Sequence, residues 1–495
     1  MVATLPEALR AAATTFADSV AYVEVDRKLT FAELLEQVRG VAGGYITRGL
    51  QPGERVVVWA PNGIDWVLAA LAVSYAGGVL VPANSRYTGH EVADIVERTQ
   101  ARLVVVDDGF LGRSQIAELS AAGVDARRIL ALENLSRIAV DHPDTEARAD
   151  AVRPDDVADI LFTSGTTGRS KGVMTAHRQT VGVADAWGSV GQLDAADRYL
   201  VVNPFFHSFG YKAGIVVGLL TGATLYPMAT FDIDSLMELV ERERITVLPG
   251  APTIFQTILD SPNRAARDLS SLRLAVTGAA TVPVVLIEHM QAELGIPDVL
   301  TAFGMTEAVV VTMCRPGDDA HTIATTNGRA VPGMEIRAGD QHELLVRGDN
   351  VMLGYLDDPD ATAQAIDADG WLHTGDVCRI DAEGNMTITD RLKDMYISGG
   401  FNVYPAEIEQ ELLRHDGIAD AAVIGVADER LGEVGHAFVV RRDDALVVED
   451  VLAFAAQRLA NFKRPKVITF VDALPRNLSG KILKNDLRKQ SERTR

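Results

Sequence analysis

The chain has 495 residues, 47% of them hydrophobic, which is enough for two or three domains with sizeable cores. Its formal net charge of −21 argues against nonspecific binding to nucleic acid or to an anionic membrane, although a local basic patch could still hold a small anion. Two cysteines, Cys314 and Cys378, stand far apart without a CxxC spacing, so the sequence predicts neither a disulfide framework nor a zinc site and suits a reducing cytoplasm.

The first segments predict helices and no membrane span. Charged residues interrupt the first twenty positions, which therefore predict a short amphipathic helix rather than a signal peptide. Thr30 and Glu33 form a capping-box pattern at the start of a second helix. The most apolar stretch, residues 66–84, is broken by Gly77, Gly78 and Pro82, so we expect a buried helix, a turn and a core strand.

Short runs rich in β-branched residues then recur along the chain. They read RVVVWA, ARLVVVDD, RYLVVNP, ITVLPG and LRLAVTG, and helical segments separate several of them. This alternation predicts an α/β fold with largely parallel strands, whose functional residues lie in the loops at the strand ends.

One loop is built of small donors and a cation. After the predicted strand VADILF, the run TSGTTGRSKG offers hydroxyls, glycines and Lys171, a set that suits a polyphosphate. The spacing is not that of a Walker loop, because Gly165 is followed at the lysine offset by Ser170. The alternative is a solvated loop without a ligand, which would not explain the lysine or the density of hydroxyls.

Three later motifs carry chemistry of their own. TAFGMTEA, residues 301–308, is predicted to form one short turn on which Glu307 could hold Mg²⁺. GWLHTGD ends in Asp376, whose carboxylate could accept hydrogen bonds from a ribose, and Arg391 in DRLKD could donate to the same sugar. PRNLSGKILK places Lys481 on a glycine-bearing turn. Taken singly, each motif could equally be a surface turn, a surface ion pair or a solvated basic tail.

The composition and the predicted secondary-structure pattern of the sequence change near residue 390. There a charged segment and a double glycine precede Pro405, which opens a helix with Ile408 and Leu412 on one face. About a hundred residues of α+β pattern follow, which is a usual size for a domain. We expect a large domain at 1–390, a hinge at 391–394 and a small domain at 395–495.

The order of these motifs, from the hydroxyl, glycine and lysine loop through FGMTE, HTGD, DRLKD and GGFNVYP to SGK, resembles the adenylate-forming superfamily. That superfamily includes acyl-CoA synthetases, nonribosomal adenylation domains and beetle luciferases. The resemblance spans nearly the whole chain. It implies a large multi-layer α/β domain with mixed and parallel sheets and a small mobile α+β lid. It also implies ATP, Mg²⁺ and coenzyme A as cofactors, with an acyl-adenylate formed first and a thioester second.

The resemblance also implies roles for particular residues. The nucleotide would contact Thr163, Ser164, Gly165, Thr166, Thr167, Gly168, Lys171, Gly278, Ala279, Ala280, Phe303, Asp376 and Arg391. The catalytic residues would be Lys481, His207, Thr306 and Glu307, the last of which also binds the metal. Lys393 would be the hinge, and Gly399 and Gly400 would border the path of the CoA thiol.

The acyl group would lie in a mostly apolar pocket. Its implied lining is Phe206, His207, Gly210, Tyr211, Phe255, Gly278 and Gly304. A lone histidine among aromatic residues could instead be a satisfied core residue. No carboxylate stands out that would bind the ammonium group of an amino acid, which argues against a nonribosomal role. Several longer stretches of the sequence most resemble actinobacterial ligases that load polycyclic acids onto CoA. Those acids are steroid-ring fragments or terpenoid acids.

One departure from the family keeps alternatives open. Many members have tyrosine where this chain has Phe303, so stacking on adenine would survive while a phenol hydrogen bond would be lost. Besides a complete ligase, the chain could therefore perform only thioesterification of an acyl-AMP made elsewhere. It could also load a carrier protein, or bind nucleotide or acyl-CoA without catalysis. The partners expected are a small carboxylic acid, ATP and CoA, with no nucleic acid, in the cytoplasm.

Overall fold

The computed structural model describes residues 2–163, 170–278, 282–392, 394–398, 401–428, 430–459, 461–477 and 480–494. The predicted amphipathic helix at the N-terminus is confirmed as α1 (Leu5–Thr15). The predicted capping box is confirmed as well, since the Thr30 hydroxyl accepts from the Glu33 N–H and the Glu33 carboxylate accepts from the Thr30 N–H. Two orphan donors are thus satisfied where α2 (Phe31–Thr47) begins.

A nine-stranded sheet forms the first layer of the large domain. Its strands, in spatial order, are β15 (Arg329–Ala330), β14 (Ala308–Met313), β13 (Asp298–Met305), β12 (Leu274–Gly278), β11 (Val247–Gly250), β9 (Arg198–Val201), β10 (Thr224–Pro227), β1 (Val20–Glu24) and β2 (Arg27–Thr30). Strands β13, β12, β11, β9, β10 and β1 run parallel, and the strands beyond them at both edges are antiparallel. The predicted parallel strands RYLV, VLPG and LAVTG all lie in this central block.

A seven-stranded sheet forms the second layer. Its order is β18 (Gly354–Tyr355), β8 (Gly172–Ala176), β7 (Val157–Phe162), β4 (Val79–Pro82), β3 (Arg55–Trp59), β5 (Leu103–Val106) and β6 (Ile129–Ala131). The buried helix α3 (Ile64–Tyr75) precedes β4, as the apolar stretch predicted. Strands β7 and β8 are antiparallel neighbours and flank the glycine-rich loop.

Two smaller, mainly antiparallel sheets complete the strands. The first is β16 (Met334–Ala338), β17 (Glu343–Gly348), β19 (Leu372–Ile380) and β20 (Met386–Arg391). The second is β22 (Phe401–Val403), β21 (Tyr396–Ser398), β24 (Gly432–Arg441) and β23 (Ile418–Asp428), with β25 (Val467–Phe470) paired to β24. The second sheet has its own apolar core, formed with the helix that begins at Pro405, in which Ile408 and Leu412 are buried.

Helices cover these sheets. The remaining ones are α4 (Gly89–Thr99), α5 (Gln115–Ala121), α6 (Leu135–Ile138), α7 (Thr145–Ala151), α8 (His177–Val190), α9 (Ser208–Gly210), α10 (Val217–Thr221), α11 (Ile233–Glu243), α12 (Pro252–Asp260), α13 (Val284–Ala292), α14 (Ala320–Thr325), α15 (Pro359–Ala365), α16 (Pro405–Leu412), α17 (Val448–Arg458) and α18 (Lys484–Thr494). A π-helical segment, Tyr211–Val216, joins α9 to α10. None of the helices in the described part of the chain combines the length and the apolar character that a bilayer crossing requires.

One prediction of local structure is wrong. Residues 301–308 do not form a single short turn, because β13 continues to Met305 and β14 begins at Ala308. Met305 pairs with Ala308, and only Thr306 and Glu307 lie in the turn between them. Ala302 is paired on both sides, to β12 and β14, and the strand stays extended beyond it because Phe303 and Met305 pair with Thr312 and Ala308 of β14.

Candidate active site

Several predicted site residues meet at one edge of the nine-stranded sheet. His207 follows β9, Gly278 ends β12, and Thr306 follows β13. These three strands are parallel members of one sheet, so their carboxyl ends lie along the same edge. That edge is where open α/β sheets bind ligands.

The two ends of the glycine-rich loop are held together. The Thr163 N–H donates to the Lys171 carbonyl at 2.9 Å, and the Lys171 N–H donates to the Thr163 hydroxyl at 3.4 Å. Thr163 directly follows β7 and Lys171 directly precedes β8. The paired strands therefore present the ends of the loop at one place, and the Lys171 side chain is exposed there.

Glu307 and Lys171 share a neighbour that sequence reasoning did not single out. The Tyr355 hydroxyl donates to Oε1 of Glu307 at 2.9 Å, and the Lys171 ammonium lies 4.5 Å from the centre of the Tyr355 ring. This places the predicted metal carboxylate and the predicted phosphate lysine around one aromatic side chain. Cation and carboxylate are thus grouped beside the loop that would bind phosphates.

The residues present fit a magnesium ion bound together with ATP. The described ranges contain no cluster of three or more His, Cys, Asp or Glu side chains that could hold a metal by itself. Mg²⁺ is commonly bound by one or two carboxylates together with substrate phosphates. Glu307, oriented by Tyr355 next to Lys171, offers one such carboxylate.

His207 keeps one ring nitrogen available as a hydrogen-bond donor. Its Nδ1 accepts from the Phe209 N–H at 3.2 Å, so the neutral ring carries its proton on Nε2. The side chain is exposed, yet the protein around it removes enough hydration to lower its pKa. A neutral imidazole that donates from Nε2 can form a hydrogen bond with a substrate carboxylate without itself being a buried charge.

Asn62 holds the segment that carries His207, and it is a second residue that sequence reasoning missed. Its Nδ2 donates to the Asn203 carbonyl at 2.9 Å, and its Oδ1 accepts from the Phe205 N–H at 2.7 Å. Asn62 itself follows β3 of the other large sheet and is buried. The loop after β9 is therefore tied to the neighbouring layer.

The predicted acyl lining divides into accessible and core positions. Phe206, His207 and Gly304 have accessible surface, whereas Tyr211 and Phe255 are 1% and 0% exposed. Tyr211 and Phe255 are therefore core residues, and Tyr211 packs edge-on against Trp66.

Glycine is required by close packing at Gly210, where a Cβ would lie 2.3 Å from the Pro204 carbonyl oxygen. At Gly278, a Cβ would lie 2.9 Å from the Ala302 carbonyl oxygen of the neighbouring strand. Both glycines thus bring backbone segments of the site close together. Contact of any of these residues with an acyl group stays a prediction.

Asp376 and Arg391 lie directly opposite each other on β19 and β20. Asp376 is 1% exposed, so the alternative of a surface turn is wrong. Glu343 of the neighbouring strand β17 holds the residues just before Asp376, because its Oε1 accepts from the Gly375 N–H at 3.0 Å and its Oε2 lies 2.8 Å from Nδ1 of His373. These contacts fix the part of β19 that carries Asp376.

Lys481 lies on the predicted glycine-bearing turn. The Asn477 side chain accepts from the Lys481 N–H at 2.9 Å, and the Asn477 N–H donates to the Lys481 carbonyl at 2.9 Å. Gly480 has φ +82°, a conformation that favours glycine. The turn fixes the backbone from which the lysine side chain extends.

Some predicted residues lie outside the described residues. They are Ser164, Gly165, Thr166, Thr167, Gly168, Ala279, Ala280, Lys393, Gly399 and Gly400. For Arg391 only the backbone is described. Their assignments stay predictions.

The chain matches two family models. Residues 9–356 match the AMP-binding enzyme family, and residues 407–481 match the AMP-binding enzyme C-terminal domain. Together these matches cover most of the chain and both of its predicted domains.

Relatives of known activity align over nearly the full length. One from Rhodococcus jostii (strain RHA1), described as a 3-[(3aS,4S,7aS)-7a-methyl-1,5-dioxo-octahydro-1H-inden-4-yl]propanoyl:CoA ligase, is 56% identical over 99% of both chains. A protein of the same description from Mycobacterium tuberculosis (strain ATCC 25618 / H37Rv) is 54% identical over 98% of both chains. Among solved structures, ATP-bound MatB from Rhodopseudomonas palustris superposes with a TM-score of 0.88 at 30% identity, covering 99% of both chains.

Proposed function

The chain belongs to the family of AMP-binding enzymes, and on that premise we propose that its acyl substrate is a compact polycyclic carboxylic acid with a short side chain. The enzyme is an ATP-dependent acyl-CoA ligase of the AMP-forming type. The single observation that supports the substrate is the 56% identity, over nearly the whole chain, to a ligase for an octahydroindenyl propanoyl group.

The geometry supports an acid of this kind. The predicted acyl lining, here termed the acyl wall, includes Phe206 and His207, which have accessible surface, and the fully buried Tyr211 and Phe255. Rigid aromatic side chains of this kind suit a bulky, rigid apolar body. His207, neutral and donating from Nε2, would orient the substrate carboxylate.

In the first half-reaction the substrate carboxylate attacks the α-phosphorus of ATP. A bond forms from a carboxylate oxygen to phosphorus, and the bond to the bridging oxygen of pyrophosphate breaks. Two anions must approach each other, so positioned cations and donors supply most of the catalysis. The glycine-rich loop, including Thr163 and Lys171, would hold the β- and γ-phosphates. Lys481 would bridge the carboxylate and the α-phosphate.

The nucleoside would be held by a second group of residues. Phe303 would stack on adenine, while Asp376 and Arg391 would bind the ribose hydroxyls. Their direct pairing on β19 and β20 supports a shared sugar ligand. Thr306 would contact the α-phosphate and Glu307 would bind Mg²⁺, which when bound would neutralise phosphate charge.

In the second half-reaction the CoA thiol attacks the acyl carbon, its proton is lost, and AMP leaves. We propose that the small domain, residues 395–495, rotates about a hinge at 391–394 between the two steps and that Gly399 and Gly400 border the thiol path. The separate core of the small domain supports this division. We also propose that the enzyme works in the cytoplasm, since Cys314 and Cys378 are free and buried.

A test begins with purified protein, ATP, Mg²⁺, CoA and matched acids. The panel contains an octahydroindene propanoic acid, the same ring with an acetic side chain, a terpenoid acid, an aryl acid and a linear fatty acid. Mass spectrometry follows acyl-AMP and acyl-CoA separately, and each synthetic acyl-AMP is also supplied without ATP. We expect the ring propanoate to give the highest kcat/KM. The substrate proposal is wrong if the linear or aryl acid exceeds it.

The supplied acyl-AMP also tests a restricted activity. Phe303 stands where a tyrosine is common in this family, and its ring can stack but cannot donate a hydrogen bond. If only supplied acyl-AMP were converted, the protein would act in thioesterification alone.

A further inference from the structure

We propose that Tyr355 is a positioning residue of the adenylation half-reaction, whose hydroxyl orients Glu307 for Mg²⁺ and whose ring holds Lys171 toward the phosphates. The proposal rests on the proposed roles of Glu307 and Lys171. It assigns a function to a residue outside the motifs that the sequence offered for nucleotide binding.

The first contact fixes the carboxylate. The Tyr355 hydroxyl donates to Oε1 of Glu307 at 2.9 Å, although the two residues are 48 positions apart in sequence. Within the described ranges, the Glu307 carboxylate makes no other hydrogen bond. It selects one side-chain orientation and leaves Oε2 for another ligand.

The second contact fixes the cation. The Lys171 ammonium lies 4.5 Å from the centre of the Tyr355 ring, within the range of a cation–π interaction. Lysine has a flexible stem, so a favoured resting place on an aromatic face reduces the number of positions it samples. The Tyr355 side chain thereby sets the separation between the Lys171 ammonium and the Glu307 carboxylate, the two groups proposed to act on the phosphates.

The backbone around Tyr355 is well suited to this task, because it joins both large sheets. Gly354 and Tyr355 pair with Met174 and Val173 of β8, and the Leu356 N–H donates to the Gly172 carbonyl at 2.7 Å. These bonds attach residues 351–356, here termed the bridging segment, to the strand that follows Lys171.

The other end of the bridging segment reaches the turn that carries Glu307. The Met352 N–H donates to the Glu307 carbonyl at 2.8 Å, and Val351 forms a bridge with Ala308. The Tyr355 N–H donates to the Thr362 hydroxyl at 2.9 Å, which secures the tyrosine itself. The ring thus stands between two elements that its own backbone connects.

The two contacts can be separated by substitution. Tyr355→Phe keeps the ring beside Lys171 and removes only the hydroxyl, whereas Tyr355→Leu removes both contacts. Tyr87→Phe is the control, because Tyr87 is another partly buried tyrosine and packs in the apolar cluster around β3, β4 and β5. Glu307→Gln is measured in parallel to test the role on which the proposal rests.

The measurements are ATP affinity by calorimetry with and without Mg²⁺, the Mg²⁺ dependence of acyl-AMP formation, and thioesterification of supplied acyl-AMP. For Tyr355→Phe we expect ATP affinity without Mg²⁺ to be unchanged, and the Mg²⁺-dependent gain in affinity and the rate of adenylation to fall about 10-fold or more. Tyr355→Leu should also weaken ATP binding without Mg²⁺ a few-fold, since the lysine is released. Thioesterification should stay within about twofold of the parent in both variants.

Three results would overturn the proposal. In the first, Tyr355→Phe keeps the Mg²⁺ dependence of the parent enzyme whereas Glu307→Gln loses it. This result would refute the role of the tyrosine and leave that of Glu307 intact. Another is an equal loss of both half-reactions, which would indicate general damage to the fold. The third is an unchanged Mg²⁺ dependence in Glu307→Gln, which would refute the metal role and the inference built on it.

Discussion

The Lys212 ammonium and the Asp159 carboxylate lie 3.1 Å apart inside the large domain, where the two side chains are 1% and 0% exposed. Lys212 belongs to the π-helical segment behind His207, and Asp159 lies on β7, which leads into the glycine-rich loop. The ammonium also donates to the Thr175 hydroxyl at 2.7 Å, and the Thr180 hydroxyl donates to Asp159 at 2.7 Å. A fully buried ion pair thus connects the predicted acyl wall to the strands that flank the glycine-rich loop.

Replacing Lys212 with methionine should strongly destabilise the large domain. The substitution keeps most of the side-chain volume but leaves the Asp159 carboxylate buried without its cation, which typically costs about 3–5 kcal/mol. The measurement is urea unfolding followed by tryptophan fluorescence, because Trp59, Trp66 and Trp187 are buried in the large domain.

Two controls interpret that result. Arg127→Met removes one partner of an exposed ion pair with Asp125 and should leave the unfolding midpoint nearly unchanged. Lys212→Met combined with Asp159→Asn removes both charges and should recover part of the loss. A midpoint for Lys212→Met equal to that of Arg127→Met would contradict the prediction.

His177 should make the fold sensitive to acid. Burial lowers its pKa from 6.5 to about 4, although Asp159, Asp156 and Glu7 act in the opposite direction. Between these values the unfolded chain binds a proton that the folded chain does not, so stability falls as the pH is lowered from about 6.5 to about 4. The full difference corresponds to about 3 kcal/mol.

His177→Asn tests this effect without removing the local acceptor. The asparagine oxygen can replace Nδ1, which accepts from the Leu5 N–H at 3.3 Å, and it does not titrate. Urea unfolding across this pH range should show a shallower loss of stability in the variant. Identical slopes in the parent and the variant would show that other groups cause the acid sensitivity.

Lys481→Ala should separate the two half-reactions. If Lys481 bridges the carboxylate and the α-phosphate, as proposed, loss of its cation should slow acyl-AMP formation by about 100- to 1,000-fold, with thioesterification of supplied acyl-AMP nearly unchanged. Lys489→Ala is the matched control, since that side chain is 71% exposed on the following helix. Equal losses in both half-reactions would refute the assignment of Lys481.

Asp376→Asn should weaken ATP binding. The amide keeps the shape of the carboxylate but loses its charge, and hydrogen bonds to a charged group are the stronger ones. We expect KM for ATP to rise about 10- to 100-fold, measured by pyrophosphate release at saturating acid. Asp381→Asn is the control, because Asp381 is exposed at the β19–β20 turn of the same hairpin. An unchanged KM with a reduced kcat would contradict a ribose contact.

Much of the fold was predictable because local signals and tertiary packing agree. The strand ending in VTG, the capping box at Thr30 and the helix that begins at Pro405 all formed as predicted. The FGM part of the FGMTE motif was assigned wrongly, since it continues β13 as an extended strand paired with β14. Local propensity could not show that pairing.

The residues that support the site were harder to predict from the sequence. Tyr355 contacts Glu307, which lies 48 positions earlier in the sequence, and Asn62 contacts the loop after β9 from a different sheet. Both contacts depend on how two sheets approach each other, which no periodicity encodes. Asn62 gave only a weak signal, an Asn-Gly pair after a predicted strand.

The π-helical segment has a consequence for how this enzyme can change over evolution. A π turn holds more residues than an α-helical turn, and such turns are frequent at functional sites. It lies beside His207, on the predicted acyl wall, whereas Glu307 and Lys171 are tied to the bridging segment between the sheets. Substitutions beside His207 can therefore change the choice of acid without altering the residues proposed to bind ATP, provided that the buried Lys212–Asp159 pair between this segment and β7 is kept.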